Sequence, residues 1–152
     1  MVDVQTDIVI HRPRHAVADY ASNPDNASTW YRNIHESHRL TPGPMGRGSK
    51  VAFIARFLGR ELSYTYEFVE YVPGEKLVMR TAQGPFPMQT TYTWTDVGGG
   101  TRMTLGNTGS PSGFSKLAGL FMAPMIRRAT REDLQKLKSI LEASRGNGPN
   151  YN

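Results

Sequence analysis

The chain has 152 residues, 38% apolar and 20% charged, with a formal net charge of +5 and no cysteine. That length suits one domain with a core of its own, and the balance excludes a disordered chain. Without cysteine there are no disulfides, no thiol catalysis and no thiolate metal site, as expected of a cytoplasmic protein.

No apolar run approaches the ~20 residues of a membrane span, so no stable membrane insertion is expected. Residues 1–10 put no basic segment ahead of an apolar one, which argues against a secretory signal. A basic balance raises nucleic acid or an anionic surface as partners. The basic residues are scattered, however. The single cluster, Arg127, Arg128 and Arg131, reads as a solvated helix face, and no nucleic-acid partner is expected.

In chain order, residues 2–10 (VDVQTDIVI) are β-branched and partly alternating, which predicts a strand. Pro13 suits a first helical turn, and Ala16, Val17 and Tyr20 follow at helical spacing. Asn23 and Pro24 form an N-cap and first-turn pair, predicting a second short helix that delivers Trp30 and Tyr31 at its end. A strand begins near Ile34, and 42–48 (PGPMGRG) is a loop, expected to be mobile and at the rim of any cavity.

Strands are predicted over 49–58, 61–72, 75–83, 88–97 and 101–109, separated by turns at Gly59-Arg60, Pro73-Gly74, 84–87 and Gly98-Gly99-Gly100. Leu62, Tyr64, Tyr66 and Phe68 share one face of their strand, as do Met88, Thr90, Tyr92 and Trp94 of theirs. Ser110-Pro111 and Ser112 signal a long terminal helix. Its buried stripe is Ala123, Ile126, Thr130, Leu134, Leu137 and Leu141, with Glu132, Gln135, Lys136 and Lys138 off the stripe. Pro124 predicts a kink or break. Residues 1–145 thus read as a single domain, followed by a flexible tail at 146–152.

Segregated strands and helices predict an α+β fold with an antiparallel meander. A sheet with one aromatic face must cover that face, and the terminal helix is the element long enough to do so. Space between a curved sheet and one helix is where a ligand would bind.

The element order, the NPDNASTW segment (23–30), GPFPMQTTYTW (84–94), GGGTRMTL (98–105) and REDLQKLKSILE (131–142) together resemble the SRPBCC superfamily. This is the helix-grip group that contains START lipid-transfer domains, polyketide cyclases/aromatases and pollen-allergen-like proteins. The likeness is strongest to its polyketide cyclase/dehydrase members and covers roughly residues 3–143. It implies a helix-grip fold: a curved antiparallel sheet of about seven strands around a long C-terminal helix, with two short helices after the first strand. It also implies a deep cavity between sheet and helix. It carries over no universal catalytic motif.

Trp30 and Tyr31 then close the mouth or one end of that cavity, either as a plug or as ligand contacts; one indole can do both. Tyr64, Tyr66, Phe68, Tyr92 and Trp94 form an aromatic stripe richer in polar atoms than a core built for stability alone. Phe53 and Phe57 share the inward face of their strand. Met79, Met88, Met122 and Met125 add adaptable apolar surface, and Ile126 lies on the helix stripe. Asn107, on the Met103 face, is the candidate polar group inside, whereas Arg56, Arg80 and Arg102 fall on the outward face.

His35, Glu36 and His38 lie on one strand, but two ligands on a strand do not make a zinc site, and no metal or cofactor is expected. No GxSxG elbow or phosphate loop is present. The main expectation is binding of a small hydrophobic or aromatic, lipid- or polyketide-like molecule without catalytic residues. The alternative is a cyclase/aromatase-type enzyme that works through Tyr64, Tyr66, Tyr92 and Asn107. The basic terminal helix also offers an interface, which leaves a homodimer open.

Overall fold

The computed structural model describes residues 2–57, 59–83, 87–109 and 116–147; the side chains of residues 2, 57, 116–122 and 145–147 are outside that description. The order is β1 (Val2–Ile10), α1 (Arg14–Ser22), a 3₁₀ turn (Pro24–Asn26), α2 (Ala27–Trp30), then β2 (Ile34–Arg39), β3 (Lys50–Phe57), β4 (Arg60–Val72), β5 (Lys76–Gln83), β6 (Met88–Val97), β7 (Gly100–Gly109) and α3 (Lys116–Asn147). All seven strands form one antiparallel sheet ordered β1-β7-β6-β5-β4-β3-β2. The meander leaves β1 and β2 as the two edges, and the short helices bridge them. The fold is helix-grip: a curled half-barrel closed by α3.

Local chemistry explains the bridge. The Asn23 side chain accepts from the Asp25 backbone N–H at 3.0 Å, with Pro24 in the first position of the turn. Pro13 sits one residue earlier than expected, as the residue preceding α1. The Arg14 guanidinium donates to the Gly74 carbonyl at 3.1 Å, pinning α1 to the β4–β5 turn.

Two irregularities bend the sheet. The register of β4 against β5 shifts between Thr65 and Tyr66 and again between Phe68 and Glu70. Bulges of this kind sharpen twist and curvature. The second also changes the phase of β4, so Tyr71 packs against the core behind Phe68.

α3 is tied to β1. Thr6 and Thr130 share a buried hydroxyl–hydroxyl hydrogen bond of 3.2 Å, and the Arg12 guanidinium donates to the Leu141 carbonyl at 2.7 Å. Lys138 belongs to this seam rather than to the outer face. Its ammonium donates to the Val9 carbonyl and the Glu142 carboxylate, each at 2.7 Å. The expected break at Pro124 does not occur, and the helix runs continuously through it. The lost backbone bond is offset by the stripe that docks beyond it, where Leu134, Leu137 and Leu141 are fully buried.

None of the residues 42–48 lines the cavity. The Gly48 N–H donates to the Phe68 carbonyl at 2.7 Å and Met45 packs against the core, far along β4 from Tyr64. The turn expected at 84–87 and the helix start expected at Ser110-Pro111 lie largely or wholly outside the described residues, and so does the tail beyond Asn147.

β1 and the start of β7 join tightly. A Cβ on Gly100 would lie 2.5 Å from the Ile10 carbonyl oxygen, whereas one on Gly98 would meet nothing within 4 Å. Gly100→Ala should therefore lose about 1–3 kcal/mol, several degrees of Tm, and Gly98→Ala should be near neutral. Paired thermal melts check this.

Candidate functional site

The inward faces of the elements change character part-way along. On β4, Tyr64 and Tyr66 face an open cavity while Phe68 is buried in solid core. On β6, Met88, Thr90 and Tyr92 face the cavity and Trp94 the core; on β7, Asn107 faces the cavity, Leu105 and Met103 the core. On α3, Ile126, Ala129, Thr130 and Asp133 face the cavity, and Leu134, Leu137 and Leu141 the core. Phe53 and Ala55 of β3, Met79 of β5, and Tyr31, Asn33 and Ile34 at the α2–β2 junction complete the wall. The core end is filled by α1, whose Val17, Ala18 and Ala21 pack onto it, while no such helix among the described residues fills the other end.

The cavity volume is about 220 Å³. An apolar cavity of ~150 Å³ takes one benzene, so this one has room for one or two rings. Its rings are fixed against each other. Tyr66 meets Phe53 edge-on at 5.7 Å between centroids and lies 6.1 Å from Tyr64.

A stack of three aromatics forms the floor. Trp30 is 1% exposed and lies against Tyr31 at 4.0 Å and Tyr92 at 5.9 Å. The Tyr31 and Tyr92 hydroxyls share a short hydrogen bond. Trp30 is therefore the buried plug of this floor, and Tyr31 and Tyr92 are the members that line the cavity. Phe68 and Trp94 likewise lie in the core beyond the floor. The indole N–H groups of Trp30 and Trp94 are buried without a hydrogen-bond partner among the described residues. Met125 is 40% exposed and faces solvent, being one residue off the Ile126–Thr130 stripe. Phe57 and Met122 lie outside the residues whose side chains are described.

Polar groups converge on this apolar space. Thr90 donates to the Asn107 side-chain carbonyl at 2.9 Å on one wall. On the opposite wall stands Asp133, only 4% exposed. Its Oδ1 accepts the Arg32 backbone N–H at 3.0 Å, and this bond joins α3 to the α2–β2 junction. Burial raises the Asp133 carboxyl from 3.8 to about 6, against the pull of the Arg32 N–H; Glu132 adds to the rise and the Arg32 guanidinium opposes it. Burial also holds the tyrosines in the neutral phenol form: Tyr66 rises to about 12, and Tyr31 and Tyr92 are raised as well.

Sequence reasoning missed Asp133. The signal was present, since Asp133 is three residues from Thr130 and four from Ala129, on the stripe itself, but its charge suggested the outer face. Arg56, Arg80 and Arg102 are exposed, with Arg80 donating to Gln89 at 3.0 Å. Glu36 and His38 pair on the exposed surface at 3.1 Å. Among the described residues no group of three or more His, Cys, Asp or Glu side chains is placed to hold a metal.

The raised carboxyl has a stability consequence. Between pH 3.8 and about 6 the folded chain binds a proton at Asp133 that the unfolded chain lacks. That share of stability is complete below the lower value and is lost as pH rises through the upper one, amounting to ~3 kcal/mol at most. Asp133→Asn, which keeps an acceptor for Arg32, should be more stable than the parent at pH 7.5, with the gap closing towards pH 4. Urea unfolding at the two pH values measures it.

The family model described as polyketide cyclase/dehydrase and lipid transport matches residues 1–142. No curated protein matches significantly. Among solved structures, a protein from Thermus thermophilus superposes with a TM-score of 0.80 at 16% identity, covering 93% of this chain and 98% of that one. The aromatase/cyclase ZhuI from a Streptomyces species gives 0.76 at 12% identity, covering 93% and 94%. The di-domain aromatase/cyclase StfQ of the steffimycin pathway gives 0.79 at 14% identity, with this chain covered over 95% and spanning 52% of that one. At these identities the structures establish the fold alone. The match to the family model covers nearly the whole chain, and the protein belongs to the polyketide cyclase/dehydrase and lipid transport family.

Proposed function

We propose that the protein binds one small, ring-bearing apolar molecule in the cavity between the sheet and α3. The observation that carries this reading is the unfilled, mostly apolar end of the half-barrel, lined by Phe53, Tyr64, Tyr66 and Met79 and carrying only a few converging polar groups. A volume of about 220 Å³ favours a compact ligand over a long acyl chain. We place the protein in the cytoplasm. No helix among the described residues is long and apolar enough to cross a membrane. No nucleic-acid role is proposed, since Arg128 of the basic cluster is already engaged by Glu132 at 3.3 Å.

Ala129 sits on the cavity wall, so Ala129→Phe should fill the space while leaving the fold intact. Naphthalene-sized probes should raise the Tm of the parent by several degrees and leave Ala129→Phe unmoved. Equal shifts in both proteins would count against the cavity as the binding site.

Catalysis is the second reading. It is favoured by phenols, an amide and a carboxylate converging on one apolar space, and by the cyclase description of the family. A cyclase gains much of its rate by folding a flexible substrate, with side chains moving a proton at the end. On this reading Tyr64→Phe and Tyr92→Phe should change the product distribution from a poly-β-ketone at least severalfold. An unchanged distribution would leave binding alone.

A further inference from the structure

Resting on the reading that the cavity holds a small apolar molecule, we infer that its ligand is a ring compound carrying a protonated amine, held by Asp133 and the surrounding tyrosine rings. Three observations converge on this. First, Asp133 spends one oxygen on the Arg32 backbone N–H, and Oδ2 has no hydrogen-bond partner among the described residues although the residue lines the cavity. That oxygen is reachable from the cavity, where a donor can meet it.

Second, no Lys, Arg or His is among the described lining residues, so the protein brings no cation of its own into the space. The nearest one, the Arg32 guanidinium, turns outward onto Glu132 at 3.3 Å. Third, the remaining wall offers electron-rich surfaces: the rings of Tyr31, Tyr64, Tyr66, Tyr92 and Phe53, with Asn107 carbonyl oxygen beyond them. Ring faces attract cations, most strongly where water is excluded. A carboxylate ligand would meet repulsion from Asp133 and find no partner. An uncharged hydroxyl would gain one ordinary hydrogen bond. An ammonium gains a charge-assisted bond and the ring faces together.

The charge state of Asp133 sets the pH dependence. Facing it are Glu132 on α3, Arg32 and Tyr31 at the α2–β2 junction, and Tyr92 on β6. The tyrosines stay neutral throughout the range that matters, so Asp133 is the group in the cavity that changes charge near pH 6. Amine binding should therefore be full above pH 7 and weaken as pH falls through 6.

The test uses three matched probes: 2-naphthylmethylamine, 2-naphthylmethanol and 2-naphthoic acid, titrated calorimetrically into the full chain at pH 8 and pH 5. At pH 8 the amine should bind roughly ten- to a hundredfold tighter than the alcohol, and the acid weakest. At pH 5 the amine, itself still protonated, should lose most of that lead. Asp133→Asn, with its fold checked by thermal melt, should bring amine and alcohol level at pH 8. Equal affinities of amine and alcohol in the parent overturn the inference but keep the apolar pocket. So does a lead that survives at pH 5 and in Asp133→Asn. Binding of none of the three overturns the pocket reading and the inference with it.

Discussion

A seven-stranded sheet that curls towards one side has a concave face too large for a single helix to fill. Everything distinctive about this protein follows from how that shortfall is distributed. α1 adds Val17, Ala18 and Ala21 at one end of the half-barrel, and there the core is solid. At the other end, among the described residues, α3 and the α2–β2 junction face the strands, and about 220 Å³ stays open. The dividing line is the aromatic floor of Trp30, Tyr31 and Tyr92, where the bridge between the sheet edges meets β6.

The same line is where the helix is fastened. Thr130 and Lys138 hold α3 to β1, at one edge of the sheet. Asp133 holds it to the α2–β2 junction, near the other. A buried carboxylate is an expensive fastener, since burial disfavours its charged form and leaves it less stable at neutral pH than a neutral amide would be. Its cost falls on stability, and its benefit is a negative charge inside an aromatic cavity. Positions that weaken a fold while arming a cavity are where function concentrates.

Much of this was legible in the residues. Strict alternation in 61–68 and 88–94 placed Tyr64, Tyr66, Met88 and Tyr92 on inward faces, and parity placed Arg56, Arg80 and Arg102 outside. Asn107 followed from sharing the Met103 face. Alternation cannot say how far along a face the packing is solid. Tyr66 and Phe68 therefore read alike, although one borders open space and the other core. Trp30 and Tyr31, adjacent in the chain, likewise separate into plug and wall only when α2 docks. Met125 read as cavity-lining by residue type, yet its angle on the helix turns it to solvent.

The sequence by itself determined the order of elements, the α+β class and the inward and outward faces, because these depend on local periodicity, caps and turns. It also determined that the inner face would be aromatic and would lack arginine. Only the tertiary structure decided where the cavity begins and ends, because that depends on which end of the sheet α1 reaches. The same holds for Asp133. A lone aspartate on a helix stripe is outward by type and inward by angle. The packing of α3 against the α2–β2 junction, where one backbone N–H awaits a partner, resolves the conflict in favour of burial.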